Sequence, residues 1–101
     1  MAALFQRREK AKTIRRHIEF YGSVQAVGFR YRAMQAARLY GATGWVRNEK
    51  YGSVTMEIQG TEKQISQVVE AIGRGSYIRI DHMESRDIPL VPDEGGFRVA
   101  Y

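Results

Sequence analysis

The chain has 101 residues, 44 % of them hydrophobic, no cysteine and a formal net charge of +5. That length suits one domain, and the apolar content is enough for a single core, which excludes a wholly disordered chain. Without cysteine there is no disulfide framework, thiol nucleophile or cysteine-held zinc, and no apolar run approaches the roughly 20 residues that span a membrane.

The charge is unevenly placed. Arg7, Arg8, Lys10, Lys12, Arg15 and Arg16 against Glu9 give residues 1–16 a net of +5, while residues 17–101 balance ten basic against ten acidic side chains. Residues 1–14 read as a basic N-terminal arm, an extension of a domain that occupies residues 15–101. The arm lacks the apolar core of roughly 7–15 residues that a secretory signal needs, so a cytoplasmic location is expected. Its plainest form is a solvated tail or frayed helix. A helix packed through Leu4 and Phe5, a targeting segment and a nucleic-acid contact are the alternatives.

From Arg16 to Tyr21 the residues alternate as in a strand, with Ile18 and Phe20 on one face. Gly22-Ser23-Val24-Gln25-Ala26-Val27-Gly28-Phe29-Arg30 follows as a loop that runs into a helix. Phe29, Ala33, Ala36, Ala37 and Tyr40 make the helix's apolar stripe, a core face in preference to a cofactor contact, and Arg32, Gln35 and Arg38 fall outside it. Gly41 and Gly44 bracket the helix exit. Gly44–Asn48 is the second strand, and Glu49-Lys50-Tyr51-Gly52 is its hairpin turn. Gly52–Gln59 makes the third, with Val54, Met56 and Ile58 on one side. Thr61 with Gln64 forms a capping box that opens a second helix, whose stripe is Ile65, Val68, Val69 and Ile72 and whose stop is Gly73. Tyr77, Ile78 and Ile80 open a fourth strand that runs toward Ser85. Asp87–Gly96, with Pro89 and Pro92, reads as a loop before a short last strand from Phe97. The order βαββαβ plus a short fifth strand predicts an α+β, ferredoxin-like α/β sandwich, with two helices on one face of a mostly antiparallel sheet.

Within this frame the loop carries chemistry. Glycines and small residues let a chain curl so that its N–H groups converge, and the helix that follows adds unpaired N–H groups and the positive end of its dipole. Such a cradle favours an anion, phosphate above all. Arg30, in the first turn, leans back over the loop and can grip two phosphate oxygens with its guanidinium fork. The second strand must run parallel to the first, which puts Asn48 at the loop's end of the sheet. Its carboxamide, both donor and acceptor, suits holding a water against a bound phosphate. The plainer alternatives are an ordinary strand-to-helix turn with a solvated Arg30, and an Asn48 that only stabilises the hairpin.

Gly22 to Arg30, Gly44 to Asn48, Gly52-Ser53-Val54, Gln59-Gly60 and Phe97-Arg98-Val99-Ala100-Tyr101 resemble the acylphosphatase family, in the family's order and over roughly Arg15 to Tyr101. The resemblance implies a small hydrolase that cleaves carboxyl-phosphate mixed anhydrides. The phosphate-binding loop would be Gln25, Ala26, Val27, Gly28, Phe29 and Arg30, with Arg30 on the phosphoryl group and Asn48 placing the attacking water. Such chemistry needs no dedicated general acid, because the leaving carboxylate is already a stable anion, and positioning with charge stabilisation supplies the rest. No metal or cofactor is expected, and His17 and His82, which lack ligand spacing, read as structural or surface residues.

The chain departs from the family's usual pattern at Ala26, where glycine is common, at Tyr51 in place of an acidic residue, and at Ser76 in place of proline. Ala26 is the consequential one, since a left-handed backbone there would strain an alanine by about 1–2 kcal/mol while a right-handed or extended one would not. The expected partners are a small acyl phosphate as substrate and phosphate or sulfate as product or inhibitor, in a monomer that uses neither membrane nor nucleic acid. Readings from other classes are a non-catalytic anion-binding module and a nucleic-acid-binding ferredoxin-like domain. The second would require exposed sheet aromatics and a basic body, whereas this body is neutral. A narrower variant is a domain acting on carbamoyl phosphate within a larger enzyme.

Overall fold

The structure is a computed structural model that describes residues 11–101. The readings made for Met1–Lys10, including a helix packed through Leu4 and Phe5, lie outside the described residues. In chain order the elements are β1 Thr13–Ser23, α1 Phe29–Tyr40, β2 Thr43–Asn48, β3 Val54–Thr61, α2 Glu62–Gly73, β4 Arg79–Ile88 and β5 Phe97–Val99. The sheet order is β4-β1-β3-β2-β5, antiparallel except for the β2–β5 pair.

Alternation decides which side of the sheet is covered. Ile18 and Phe20 of β1, Val46 of β2 and Val54, Met56 and Ile58 of β3 form one buried cluster with Phe29, Ala33, Ala36 and Ala37 of α1 and Ile65, Val68 and Ile72 of α2. Both helices therefore lie on the same face, where their stripes leave water at roughly 25 cal/mol per Å² of apolar surface. Phe20 and Phe29 meet with ring centroids 4.9 Å apart, seating the start of α1 on the end of β1. Thr61 and Gln64 close the expected capping box, and the Gln64 Nε2 group also donates to the Tyr40 carbonyl at 2.9 Å, tying the start of α2 to the end of α1.

Element boundaries moved where pairing rather than burial sets them. β1 starts at Thr13 and ends at Ser23, so it takes Thr13 and Ile14 from the arm and Gly22 and Ser23 from the loop. β3 starts at Val54 and runs on through Gly60 and Thr61. β4 starts only at Arg79, leaving exposed Tyr77 and half-buried Ile78 outside it, and continues through Asp87 and Ile88, which read as loop. This strand lies at the sheet's edge with almost every side chain exposed, so its extent comes from the ladder to β1 and leaves little hydrophobic alternation to read. The register of that ladder shifts at Tyr21/Gly22. Gly22 sits there at φ 133°, and a Cβ would meet the Arg79 carbonyl oxygen at 2.2 Å, so only glycine lets β1 stay this close to β4 as the register shifts and pairing resumes at Ile80 and Arg79.

The uncovered face carries polar residues, part of it roofed by the segment between β4 and β5. Arg15, only 2 % exposed, is paired bidentately with Glu94 at 2.7 and 3.3 Å. Gln59 clasps Val91 in both directions, donating to its carbonyl at 3.0 Å and accepting from its N–H at 2.8 Å. Nearby His17 and Glu57 lie 2.7 Å apart, and His82 is exposed beside Glu84, so both histidines have the structural or surface placement expected of them. The roof leads the chain back so that β5 joins β2, and Val99 and Tyr101 thereby reach the end of the sheet where α1 begins.

Candidate active site

The loop between β1 and α1 is fixed at both ends by buried side chains, Val24 and Phe29. Gln25 to Gly28 must close the short span between them. Two left-handed residues achieve this, Ala26 at φ 61° and Gly28 at φ 82°, ψ 14°, on either side of Val27. Successive N–H groups in such a turn face a common point. Gly28 is also the N-cap of α1, so no side chain caps the helix, and its first turn holds no acidic residue. Arg32 donates back to the Gly28 carbonyl at 3.0 Å, whereas the N–H groups from Ala26 to Tyr31 have no acceptor among the described residues. An anion is the natural partner for such a ring of donors at a helix N-terminus.

Ala26 thus holds the conformation that strains an alanine. An L-residue in the left-handed region loses roughly 1–2 kcal/mol to the crowding of its Cβ. The expectation left two conformations open at this position, and the structure has the left-handed one.

β2 brings the second group. Val46 points toward the helices, so the period of two puts Asn48, the last residue of the strand, on that same side. Asn48 and Arg30 line one cavity of about 340 Å³, together with Val24, Ala26, Gly28, Phe29, Tyr31, Met34, Val99 and Tyr101. Among the described residues Arg30 has no carboxylate partner, and its guanidinium carbon lies 5.7 Å from the centroid of the Tyr101 ring. The Asn48 Oδ1 atom is buried and receives no hydrogen bond from the described residues. A buried acceptor without a donor is unfavourable by about 1–3 kcal/mol.

The predicted residues therefore divide. Ala26, Gly28, Phe29, Arg30 and Asn48 surround the cavity, and Val27 packs against the core beside it. Gln25 turns the other way. Its Nε2 group donates to the backbone carbonyls of Glu49 at 2.7 Å and Ser53 at 2.8 Å, at the two ends of the β2–β3 turn. The Glu49 carboxylate in that turn faces away and is held below the usual glutamate range, chiefly by a hydrogen bond from Thr55 and also by Arg47. Tyr31, Met34, Val99 and Tyr101 went unassigned in sequence reasoning. Met34 could have been found, since it lies one helical turn beyond Arg30. Val99 and Tyr101 could not, because their place depends on β5 joining β2.

The sheet order and helix placement define a ferredoxin-like α+β protein. The family model described as Acylphosphatase matches residues 16–99. An acylphosphatase of Bifidobacterium longum is 38% identical over 87 residues, 85% of this chain and 90% of that protein. One from Geobacillus thermodenitrificans is 39% identical over 88 residues, 84% of this chain and 92% of that protein. The crystal structure of acylphosphatase from Bacillus subtilis superposes with a TM-score of 0.80 at 27% identity, covering 87% of this chain and 99% of that one. The same architecture occurs inside a larger protein: full-length HypF in its phosphate- and nucleotide-bound form matches 92% of this chain with a TM-score of 0.79 over 12% of its own length, at 28% identity. The chain belongs to the acylphosphatase family and so to the acylphosphate phosphohydrolases. Among the described residues no helix is long and apolar enough to cross a membrane.

Proposed function

We propose that this chain hydrolyses the carboxyl-phosphate bond of a small acyl phosphate to carboxylate and inorganic phosphate, with Arg30 binding the phosphoryl group and Asn48 positioning water. The N–H groups from Ala26 to Tyr31 and the Arg30 guanidinium meet the phosphoryl oxygens and stabilise the charge that spreads over them in the transition state. Asn48 Oδ1 accepts a hydrogen from the attacking water, turning a lone pair of that water toward phosphorus. The water's oxygen forms the new P–O bond as the carboxylate oxygen leaves with the electrons of the old one. The water's proton passes to a phosphoryl oxygen of the substrate, so neither a histidine base nor a general acid takes part. Phosphate, and sulfate by likeness of shape and charge, would occupy the same cradle as product or inhibitor.

The observation that carries this reading is Asn48, whose buried Oδ1 has no donor among the described residues, lining the same cavity as Arg30 and the loop with the free N–H groups. A cradle for anion binding alone has no use for an orphan acceptor, which repels an anion; a water between the two resolves it. Release of phosphate from acetyl phosphate, measured with EDTA present, tests the proposal on the wild type, Arg30→Ala and Asn48→Ala. Arg30→Ala should lose at least ~10²–10³ in rate, by analogy with loss of one oxyanion donor. Asn48→Ala should lose turnover and keep phosphate affinity close to the wild type's. A wild type without activity would support the anion-binding module instead, and equal losses of phosphate affinity in both variants would contradict the separate roles.

A further inference from the structure

We infer that Gln25, although part of the loop, is a positioning residue for Asn48 and no ligand of the phosphoryl group; this rests on the hydrolase reading above. β1, which leads into the loop, and β2, which carries Asn48, are not neighbours, because β3 lies between them. No direct ladder joins them: Val54 of β3 pairs with both Phe20 and Asn48, and beyond that point neither the loop nor the turn is held to the other by a strand. The side chain of Gln25 spans that gap. Both hydrogens of its Nε2 are used, on the carbonyls of Glu49 at 2.7 Å and Ser53 at 2.8 Å, so this nitrogen has none left for an anion. These carbonyls belong to the turn itself: the Glu49 N–H donates to the Ser53 carbonyl at 2.8 Å and the Gly52 N–H to the Glu49 carbonyl at 3.3 Å. Glu49 directly follows Asn48, so the Gln25 bridge ends one residue from the group that would aim the water. On the other side, Gln25 directly precedes left-handed Ala26, the first residue of the N–H ring. One side chain thus holds the two halves of the site in register.

Removing the bridge lets the turn and the loop shift independently. A misplacement of about 1 Å in a reacting group lowers a rate on the order of 10²-fold, while the N–H ring and Arg30 still bind phosphate. The variant of choice is Gln25→Met, which preserves length and removes the donors. Together with Asn48→Ala and the double variant, it is assayed for kcat and KM on acetyl phosphate and for inhibition by inorganic phosphate, with circular dichroism to establish folding. The expected results are a kcat about 10–10²-fold lower in Gln25→Met, phosphate inhibition unchanged, and little further loss when Gln25→Met is added to Asn48→Ala, because the bridge has nothing left to aim. Restored turnover in Gln25→Asn would not be expected, since the shorter side chain cannot span both carbonyls. Undiminished kcat in folded Gln25→Met, weakened phosphate inhibition, or losses that multiply in the double variant would overturn this role while leaving the hydrolase reading intact. A wild type inactive on acetyl phosphate would overturn both.

Discussion

The backbone strain at Ala26 can be measured directly. Ala26→Gly relieves the roughly 1–2 kcal/mol that a Cβ incurs at φ 61°. Glycine gives back part of this, since its unfolded chain is freer by about 0.4–1 kcal/mol. The net expectation is a gain of about 0.5–1 kcal/mol, which for a domain of this size raises Tm by roughly 2–8 °C. Gly28→Ala makes the opposite exchange two residues away. Gly28 has φ 82°, and a Cβ there would meet nothing within 4 Å, so the backbone alone decides and a loss of about the same 0.5–1 kcal/mol is expected. Urea unfolding of the wild type and both variants, fitted with a common m-value, reads the two changes on one scale. The reasoning is refuted if Ala26→Gly is less stable than the wild type, or if both substitutions move stability in the same direction.

Two further outcomes follow from the charged groups. Burial would raise the Glu94 carboxyl's pKa, but hydrogen bonds from Arg15 and Thr43 and the charges of Arg15 and Arg98 outweigh it and hold the group below its ordinary value. Its stabilisation is therefore complete above the ordinary glutamate pKa of about 4.3 and lost as pH falls through the lowered folded value. Glu94→Gln, which retains an acceptor for Arg15, should destabilise by about 1–3 kcal/mol at pH 7. Unfolding titrations at neutral and strongly acidic pH should show that deficit shrinking in acid; a pH-independent deficit would contradict the assignment. Inorganic phosphate at ten times its Kd should stabilise the wild type by about 1.4 kcal/mol, a Tm rise of roughly 6–11 °C. At the same concentration and ionic strength Arg30→Ala should show little of this rise, and an equal shift in both proteins would place the anion elsewhere.

Much of the molecule was legible because local physics and tertiary structure agree. Ile18 and Phe20, the α1 stripe from Phe29 to Ala37 and the Thr61–Gln64 box each stand in a pattern whose period or spacing has one structural meaning, and each is found where that pattern predicts. Asn48 was legible for a related reason: strand direction and a period of two suffice to bring it to the loop's end of the sheet. β4 was only half legible, because an exposed edge strand owes its length to hydrogen bonds with β1, and Asp87 and Ile88 have no pattern of their own that announces them. Arg15 shows the same limit from the side of charge. In sequence it is one of six cations in the basic first 16 residues, and in the fold it is buried against Glu94, 79 residues later in the chain.

From sequence by itself came the order of elements, the covered face of the sheet, the family and the two polar groups of the cavity, all properties carried by periodicity or by contiguous motifs. Only the tertiary structure decided the conformation of Ala26, the outward turn of Gln25 toward the β2–β3 turn, and the arrival of Val99 and Tyr101 beside Arg30. A backbone angle that alanine can adopt only under strain, a side chain with two distant carbonyls as acceptors and a strand that pairs across half the chain leave no local signal, because each is set by groups far away in sequence.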